Sequence, residues 1–429
     1  MKLLIKNGHV VDPVNKLNEV RDILIVGTHI SKVAGDIEDK ADKIIDASGK
    51  IVMPGIIDMH VHLREPGRED KETIETGTKA ALRGGVTSVL AMPNTEPAMD
   101  SVENVRQLKD IIKKSACANV YIAGAITKAR AGKELTDIAK LKKEGVIAIT
   151  DDGASVDDEK ILKEVLKLAK KEGILVICHC EDKAITRSGV INLGIMSTRL
   201  GLKGTPRESE YKRVQRDIQL AQKLDAPIHI AHVSCKESIE IIAQAKKIGL
   251  RVTAETAPHY FCFCDEDLFE YNTNLKVNPP LKAKEDVQAI KEALKNGIID
   301  VIASDHAPHT ENEKDVEFER AEFGAIGLET ELAASISELI IGKILDWPAL
   351  VERLSTNPAK VLGLKTKGAL SVGLDADIIV VDPQKEWLVK KDGFQSKAKN
   401  SPFIGRTLRG IVEYTICNGE IAYINANNR

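Results

Sequence analysis

Two histidines two residues apart, His60 and His62, close an apolar run over 56–62 and are followed by Arg64 and Glu65. In a β-strand, residues i and i+2 face the same side, so both imidazoles project together and Val61 points the other way. A pair of this kind at the end of a buried strand can hold one metal ion. Similar endings recur along the chain. Apolar runs close in Met92-Pro93-Asn94-Thr95, Thr150-Asp151-Asp152-Gly153, Cys178-His179-Cys180-Glu181, Ala231-His232-Val233-Ser234, Pro258-His259-Tyr260 and Ser304-Asp305-His306-Ala307-Pro308-His309. Seven of the ten histidines fall at such ends, a bias that core histidines placed at random would not show. Imidazole and carboxylate donors suit zinc, with manganese, iron or cobalt as alternatives. His60, His62, His179, His232, Asp152 and Asp305 together exceed the roughly three protein ligands of a single catalytic zinc. They suit two ions: His60, His62 and Asp305 on one, His179 and His232 on the other, and one group bridging. Such a pair can activate a shared water at neutral pH.

These residues need a scaffold that brings strand ends to one rim. Eight runs of strand length cover 56–62, 87–92, 120–127, 146–151, 174–179, 228–233, 251–257 and 301–305. Between them lie charged segments of helical period, such as 157–171, 213–223 and 236–248. Strand–helix alternation implies a parallel sheet with right-handed crossovers. Eight units favour an α/β fold of the (β/α)8, or TIM-barrel, type, whose chemistry sits at the C-terminal ends of the strands. Both termini differ from this middle. Short runs separated by Asn7-Gly8, Gly27-Thr28 and Ser48-Gly49 precede it, and four more strand candidates follow, the last two joined by Cys417-Asn418-Gly419. The expected organisation is a barrel over 54–365 and one small β-domain assembled from 1–53 and 366–429.

Composition removes several classes of function. A net charge of −3 and 3% aromatic residues offer neither a field nor stacking surfaces for nucleic acid, and no membrane association is expected. No apolar stretch approaches the roughly 20 residues of a spanning helix. The start, Met1-Lys2-Leu3-Leu4-Ile5-Lys6, lacks a signal-peptide pattern. Seven scattered cysteines suit a reducing cytoplasm, and Cys178-x-Cys180 and Cys262-x-Cys264 read as small apolar strand residues.

The chain resembles the dihydroorotase family of the amidohydrolase superfamily. The matching pieces run from Pro54-Gly55-Ile56-Ile57-Asp58-Met59-His60-Val61-His62-Leu63-Arg64-Glu65-Pro66-Gly67 through Met92-Pro93-Asn94-Thr95, Thr150-Asp151-Asp152-Gly153, His179-Cys180-Glu181 and His232-Val233-Ser234 to Val277-Asn278-Pro279-Pro280-Leu281 and Ser304-Asp305-His306-Ala307-Pro308-His309, in the family's order. The resemblance implies a composite β-sandwich for the two ends. It also implies reversible cyclisation of N-carbamoyl-L-aspartate to L-dihydroorotate, a step of pyrimidine (UMP) synthesis, with one or two Zn2+ per subunit. Many superfamily members bridge their metals with a carboxylated lysine. This chain has no lysine between Lys143 and Lys160. The resemblance places Asp152 as the bridge, with Asp151 the competing candidate. The substrate's carboxylate calls for a planar guanidinium fork, and Arg64 stands immediately beyond His62. The resemblance assigns Arg64 and Asn94 to that carboxylate and His62, Asn278, His309 and the Phe323-Gly324 backbone to further substrate contacts. The segment Asn278-Pro279-Pro280-Leu281 often continues into Arg in the family, but here Lys282 follows.

In this reading Asp305 is both ligand and general acid/base, taking a proton from the attacking water and passing it to the leaving ring nitrogen. The charged segment 310–322 reads either as a lid or as a solvated loop. Other cyclic amidases, such as hydantoinase, dihydropyrimidinase and allantoinase, compete, but Arg64 and the missing lysine argue against them. A silent scaffold for aspartate transcarbamoylase would be expected to lose ligands, and all six are present. A small-molecule substrate, a homo-oligomer and association with aspartate transcarbamoylase complete the expectations.

Overall fold

The computed structural model describes residues 2–426. The first five strands are β1 (Lys2–Asp12), β2 (Leu17–Val26), β3 (His29–Ala34), β4 (Lys43–Asp46) and β5 (Ile51–Pro54). β1 is long enough to pair in parallel with β4 through Leu3–Lys6 and with β5 through His9 and Val10. On its other edge it pairs with β2, which pairs with β3.

The middle of the chain supplies eight parallel strands in sequence order: β6 (Ile56–Val61), β7 (Val86–Ala91), β8 (Asn119–Gly124), β9 (Ala148–Ile149), β10 (Leu175–Cys178) and, after the small pair β11 (Ile191–Asn192) and β12 (Gly204–Thr205), β13 (Ile228–Ile230), β14 (Val252–Thr256) and β15 (Val301–Ile302). The last neighbour is closed beyond β15, where the His62 N–H donates to the His306 carbonyl at 2.8 Å. The result is a nearly closed (β/α)8 barrel, as the alternation of strand and helix periods implies. Ile57, Leu90, Ala123, Ala148, Ile177 and Val301, from six different strands, share one apolar cluster with Ala231, just beyond β13, joined by Ala359 and Leu362. Side chains from so many strands converge in this way only inside a closed barrel.

The outer helices are held on by one apolar stripe each. In the helix Glu159–Glu172, Leu162, Val165, Leu166 and Ala169 are buried at spacings of three and four, while the lysines and glutamates between them face water. Asp158 caps its N-terminus by accepting from Lys160 N–H, and Gly173 ends it at φ 65°, a left-handed conformation that glycine adopts at no steric cost.

Three final strands, β16 (Ile378–Leu388), β17 (Thr407–Cys417) and β18 (Glu420–Ile424), return to the first sheet, where β16 pairs antiparallel with β5. The two C-terminal candidates nearest 377–389 are thus one strand, interrupted by a register irregularity between Asp382 and Glu386. Leu3, Ile5, Ile23 and Ile25 from the first half pack with Ile378, Val380 and Ile416 from the second. The eight-stranded terminal sheet therefore encloses a core of its own, beside the barrel. All seven cysteines are free. No helix among the described residues is long and apolar enough to cross a membrane.

Candidate metal centre and substrate site

His60 and His62 stand at the end of β6, His179 just beyond β10, His232 beyond β13, Asp152 beyond β9 and Asp305 beyond β15. The barrel gathers all six at its C-terminal rim, and all six are buried. Asp152 lies between two pairs. Its Oδ2 is 3.3 Å from His60 Nε2 and 3.4 Å from His62 Nε2, while its Oδ1 is 3.5 Å from His179 Nδ1 and 3.6 Å from His232 Nε2. Asp305 Oδ1 completes the first side, 3.5 Å from His60 Nε2 and 3.3 Å from His62 Nε2. The ligand atoms of His60, His62 and Asp305 lie within 4.8 Å of one another, and so do those of His60, Asp152 and His232. His60 Nε2 and Asp152 Oδ1 are buried with no hydrogen-bond partner among the described residues. Two orphaned atoms with lone pairs to offer, aimed into one cluster, are what a divalent cation would satisfy. Asp151 is placed differently. Its oxygens accept from the N–H groups of Ile126 and Thr127 and from the Thr127 hydroxyl, which leaves it a loop anchor.

Behind these groups is a layer that the strand-end search overlooked. Glu255, inside β14, accepts from His60 Nδ1 at 2.5 Å and from His229 Nε2 at 3.2 Å. It fixes the His60 tautomer so that Nε2 faces the cluster. Burial pushes the Glu255 carboxyl up, but the two histidines outweigh it and hold it well below the usual carboxylate range. A single carboxylate inside the apolar run 251–257 was the available signal, and His229, one position into β13 rather than at its end, was the other. Asp58 accepts from the backbone N–H groups of His60 and Ser304, tying β6 to the end of β15. Glu181 accepts from His179 Nε2 and from the Asn278 amide, both at 3.2 Å. Burial of Glu181 is outweighed by His179, and its pKa falls to about 2. The second half of the rim is anchored from a helix: Glu210, on Glu208–Leu224, accepts from Ser234 and Cys235 N–H and from the Ser234 hydroxyl. Lys282 is buried with its Nζ 3.9 Å from Glu210, a loose pair.

Three site residues take positive φ: Arg64 (64°), His232 (34°) and Asp305 (49°). Non-glycine residues avoid this region at a cost of about 1–3 kcal/mol each, and such strain clusters at sites where side-chain aim matters more than backbone comfort.

Arg64 is half-buried beside the cluster. Its Nε donates to the Pro308 carbonyl at 3.1 Å and its Nη2 lies 3.4 Å from His309 Nε2. Among the described residues no carboxylate forms an ion pair with it. Burial lowers its pKa to about 10. Asn94 Oδ1 is 2.8 Å from His62 Nδ1, so Asn94 orients that imidazole as well as facing the site. His309 lies between Lys71 Nζ, 3.2 Å from its Nδ1, and the Phe323 carbonyl, 2.8 Å from its Nε2. Burial, with Arg64, Lys71 and Lys314 nearby, pushes His309 down to about 2, so it is neutral. Its Nε2–H then donates to Phe323 and its Nδ1 accepts from Lys71. Gly324 packs against this histidine at φ 135°, where a Cβ would come within 3.0 Å of His309 Nε2 and 2.7 Å of the Ala307 Cβ. The structure thus gathers the six candidate ligands, sets Arg64, Asn94, His309, Phe323 and Gly324 beside them and links Asn278 to them through Glu181, while Asp151 stands apart. The segment 310–322 is neither free nor helical beyond the short helix Glu311–Lys314.

Comparisons with known proteins agree on cyclic amide hydrolases. The profile of a family described as Dihydro-orotase-like matches residues 49–238. A dihydroorotase of Elusimicrobium minutum is 54% identical over 425 residues, 99% of this chain and 98% of that one. A dihydroorotase of Endomicrobium trichonymphae is 44% identical over 424 residues, 99% of this chain and all of that one. Among solved structures, the L-hydantoinase (dihydropyrimidinase) of Arthrobacter aurescens superposes with a TM-score of 0.90 at 26% identity, covering 98% of this chain and 95% of that one. The dihydropyrimidinase of Brevibacillus agri gives 0.87 at 25%, covering 99% and 95%.

Proposed function

The chain belongs to the dihydroorotase family of cyclic amide hydrolases, and we propose that it interconverts N-carbamoyl-L-aspartate and L-dihydroorotate as a zinc-dependent step of pyrimidine synthesis. The observation that carries the substrate is Arg64, a guanidinium beside the ligand cluster with no carboxylate paired to it among the described residues. A fork in this position is complementary to the carboxylate that dihydroorotate has and dihydrouracil lacks.

His60, His62, Asp152, His179, His232 and Asp305 would hold one or two divalent ions, with Asp152 as the bridge because its two oxygens face the two histidine pairs. Three buried carboxylates, Asp152, Asp305 and Glu255, meet there, a negative charge that a divalent cation would compensate. When bound, the metal supplies a Lewis acid for the amide carbonyl and lowers the pKa of water at the site. The chain's own groups do the rest. Arg64 and Asn94 hold the substrate carboxylate, while His309, Asn278 and the Phe323–Gly324 backbone make the further substrate contacts. In the hydrolytic direction Asp305 takes a proton from the attacking water, the carbon–nitrogen bond of the ring amide breaks, and Asp305 delivers that proton to the nitrogen. Cyclisation reverses each transfer.

Residues 1–53 and 366–429 form the supporting β-unit of this enzyme in our reading, and 54–365 its barrel. A cytoplasmic location fits seven free thiols, and a homo-oligomer and association with aspartate transcarbamoylase are expected from the family resemblance. The solved hydantoinases share the fold, but the guanidinium favours the charged substrate. The purified protein should open dihydroorotate with a kcat/KM at least about a hundredfold above that for dihydrouracil. In Arg64→Met most of that preference should vanish. Faster turnover of dihydrouracil by the native protein would transfer the chain to the hydantoinase reading.

A further inference from the structure

The segment 316–324 carries four charged residues and forms no helix or strand. Its carbonyl groups must find donors elsewhere. Two lysines supply them. Lys276 Nζ donates to the carbonyls of Phe318 (2.8 Å), Glu319 (3.0 Å) and Ala321 (2.6 Å). Lys314 Nζ donates to those of Glu322 (2.7 Å) and Gly324 (3.0 Å), and reaches that of Lys276 at 3.5 Å. Five of the nine carbonyls in the segment therefore end on two ammonium groups. The side chains are nearly inaccessible, Lys276 at 2% and Lys314 at 5% exposure, and every hydrogen bond either one makes ends on a backbone carbonyl. Lys276 Nζ also stands 4.5 Å over the Phe323 ring, and the Gly324 N–H donates back to the Lys276 carbonyl at 2.8 Å. Burying a cation away from carboxylates is expensive. Burial depresses both ammonium groups, Lys276 to about 8 and Lys314 to about 7.

The position of this staple gives it a role. Lys276 is two residues before Asn278 and ties that segment to the one ending in Phe323–Gly324. Lys314 ties the segment after Asp305 to the same backbone. We propose that Lys276 and Lys314 are positioning residues for ring binding: they fix the Phe323–Gly324 backbone against Asn278 and His309 and so set the affinity for the cyclic substrate. The proposal rests on the reading of Phe323 and Gly324 as substrate contacts. If the staple is lost, the segment must be ordered at the expense of binding. Ground-state and transition-state binding then weaken together, which raises KM and spares kcat.

The experiment compares the native protein with Lys314→Met, Lys314→Arg and Lys276→Met. Lys314 borders a cavity of about 570 Å³, and an arginine keeps a cation and its donors at this position. Steady-state hydrolysis of dihydroorotate is measured beside hydrogen–deuterium exchange of the intact protein. The methionine variants should raise KM roughly tenfold, the loss of one charged hydrogen-bond set, with kcat within about threefold. Exchange should accelerate in 316–324 and not in the barrel strands, and Lys314→Arg should return KM to within about threefold of native. A Lys314→Met protein with native KM, or an arginine variant as impaired as the methionine one, would overturn the proposal. If Lys276→Met does not fold, the Lys314 pair decides. Absence of dihydroorotate turnover in the native protein is a distinct result: it overturns the reading of the site, and the staple's role falls with it.

Discussion

Asp305 is asked to do two things with one carboxylate. It lies 3.3 Å from His62 Nε2 and 3.5 Å from His60 Nε2, which places it among the candidate ligands, and its left-handed backbone aims it there. Asparagine at this position keeps the size and one oxygen but cannot carry a proton. Asp305→Asn should therefore retain most of its metal and lose on the order of 10²–10⁴ in turnover, the range of general acid–base catalysis. Metal analysis and a dihydroorotate assay on the same sample check this. Joint loss of metal and activity, with both restored by added zinc, would make Asp305 structural only. Full turnover in a metal-replete variant would move the proton to another group.

At the scale of elements, the loop endings decide the site, and Gly324 is the most constrained of them. Its φ of 135° is foreign to L side chains, and a Cβ would collide with Ala307 and His309. Gly324→Ala should lower stability by about 1–3 kcal/mol, the range for forcing a residue into such a conformation, and should raise KM for dihydroorotate. Urea unfolding with an unchanged midpoint would show that the loop yields freely. Element by element, the sequence was readable where periodicity was strong. The eight barrel strands and the residues at their ends follow from alternation and from polar residues closing apolar runs. Glu255 and His229 escaped that logic because they act from within strands, where a polar residue carries no positional signature until its partner across the barrel is known. The lysine staple escaped it because Lys276 and Lys314 differ in no local feature from the many solvated lysines. Only long-range packing, 42 residues from Lys276 to Phe318, gives them their acceptors.

For the molecule as a whole, the buried lysines make stability depend on pH. Both folded-state pKa values, about 8 for Lys276 and about 7 for Lys314, lie below the ordinary 10.5. A depressed folded value means that the unfolded chain binds more protons between these limits, so the lysine contribution to stability rises with pH from about 7 to 10.5 and is lost as pH falls through the folded values. The destabilisation caused by Lys314→Met should accordingly be smallest near pH 6 and grow toward pH 10, read from denaturant unfolding across that range. A constant difference would mean that the ammonium is not held in a depressed state.

In the proposed reaction, four histidines and two aspartates at one barrel rim hold divalent metal for the opening of dihydroorotate. The most direct measurement is the turnover of dihydroorotate by chelator-stripped protein titrated with zinc, with bound metal counted in each sample. Activity should fall to background on stripping and return in proportion to bound zinc, reaching its plateau at one or two ions per chain. Full turnover by protein shown to contain no metal would contradict it.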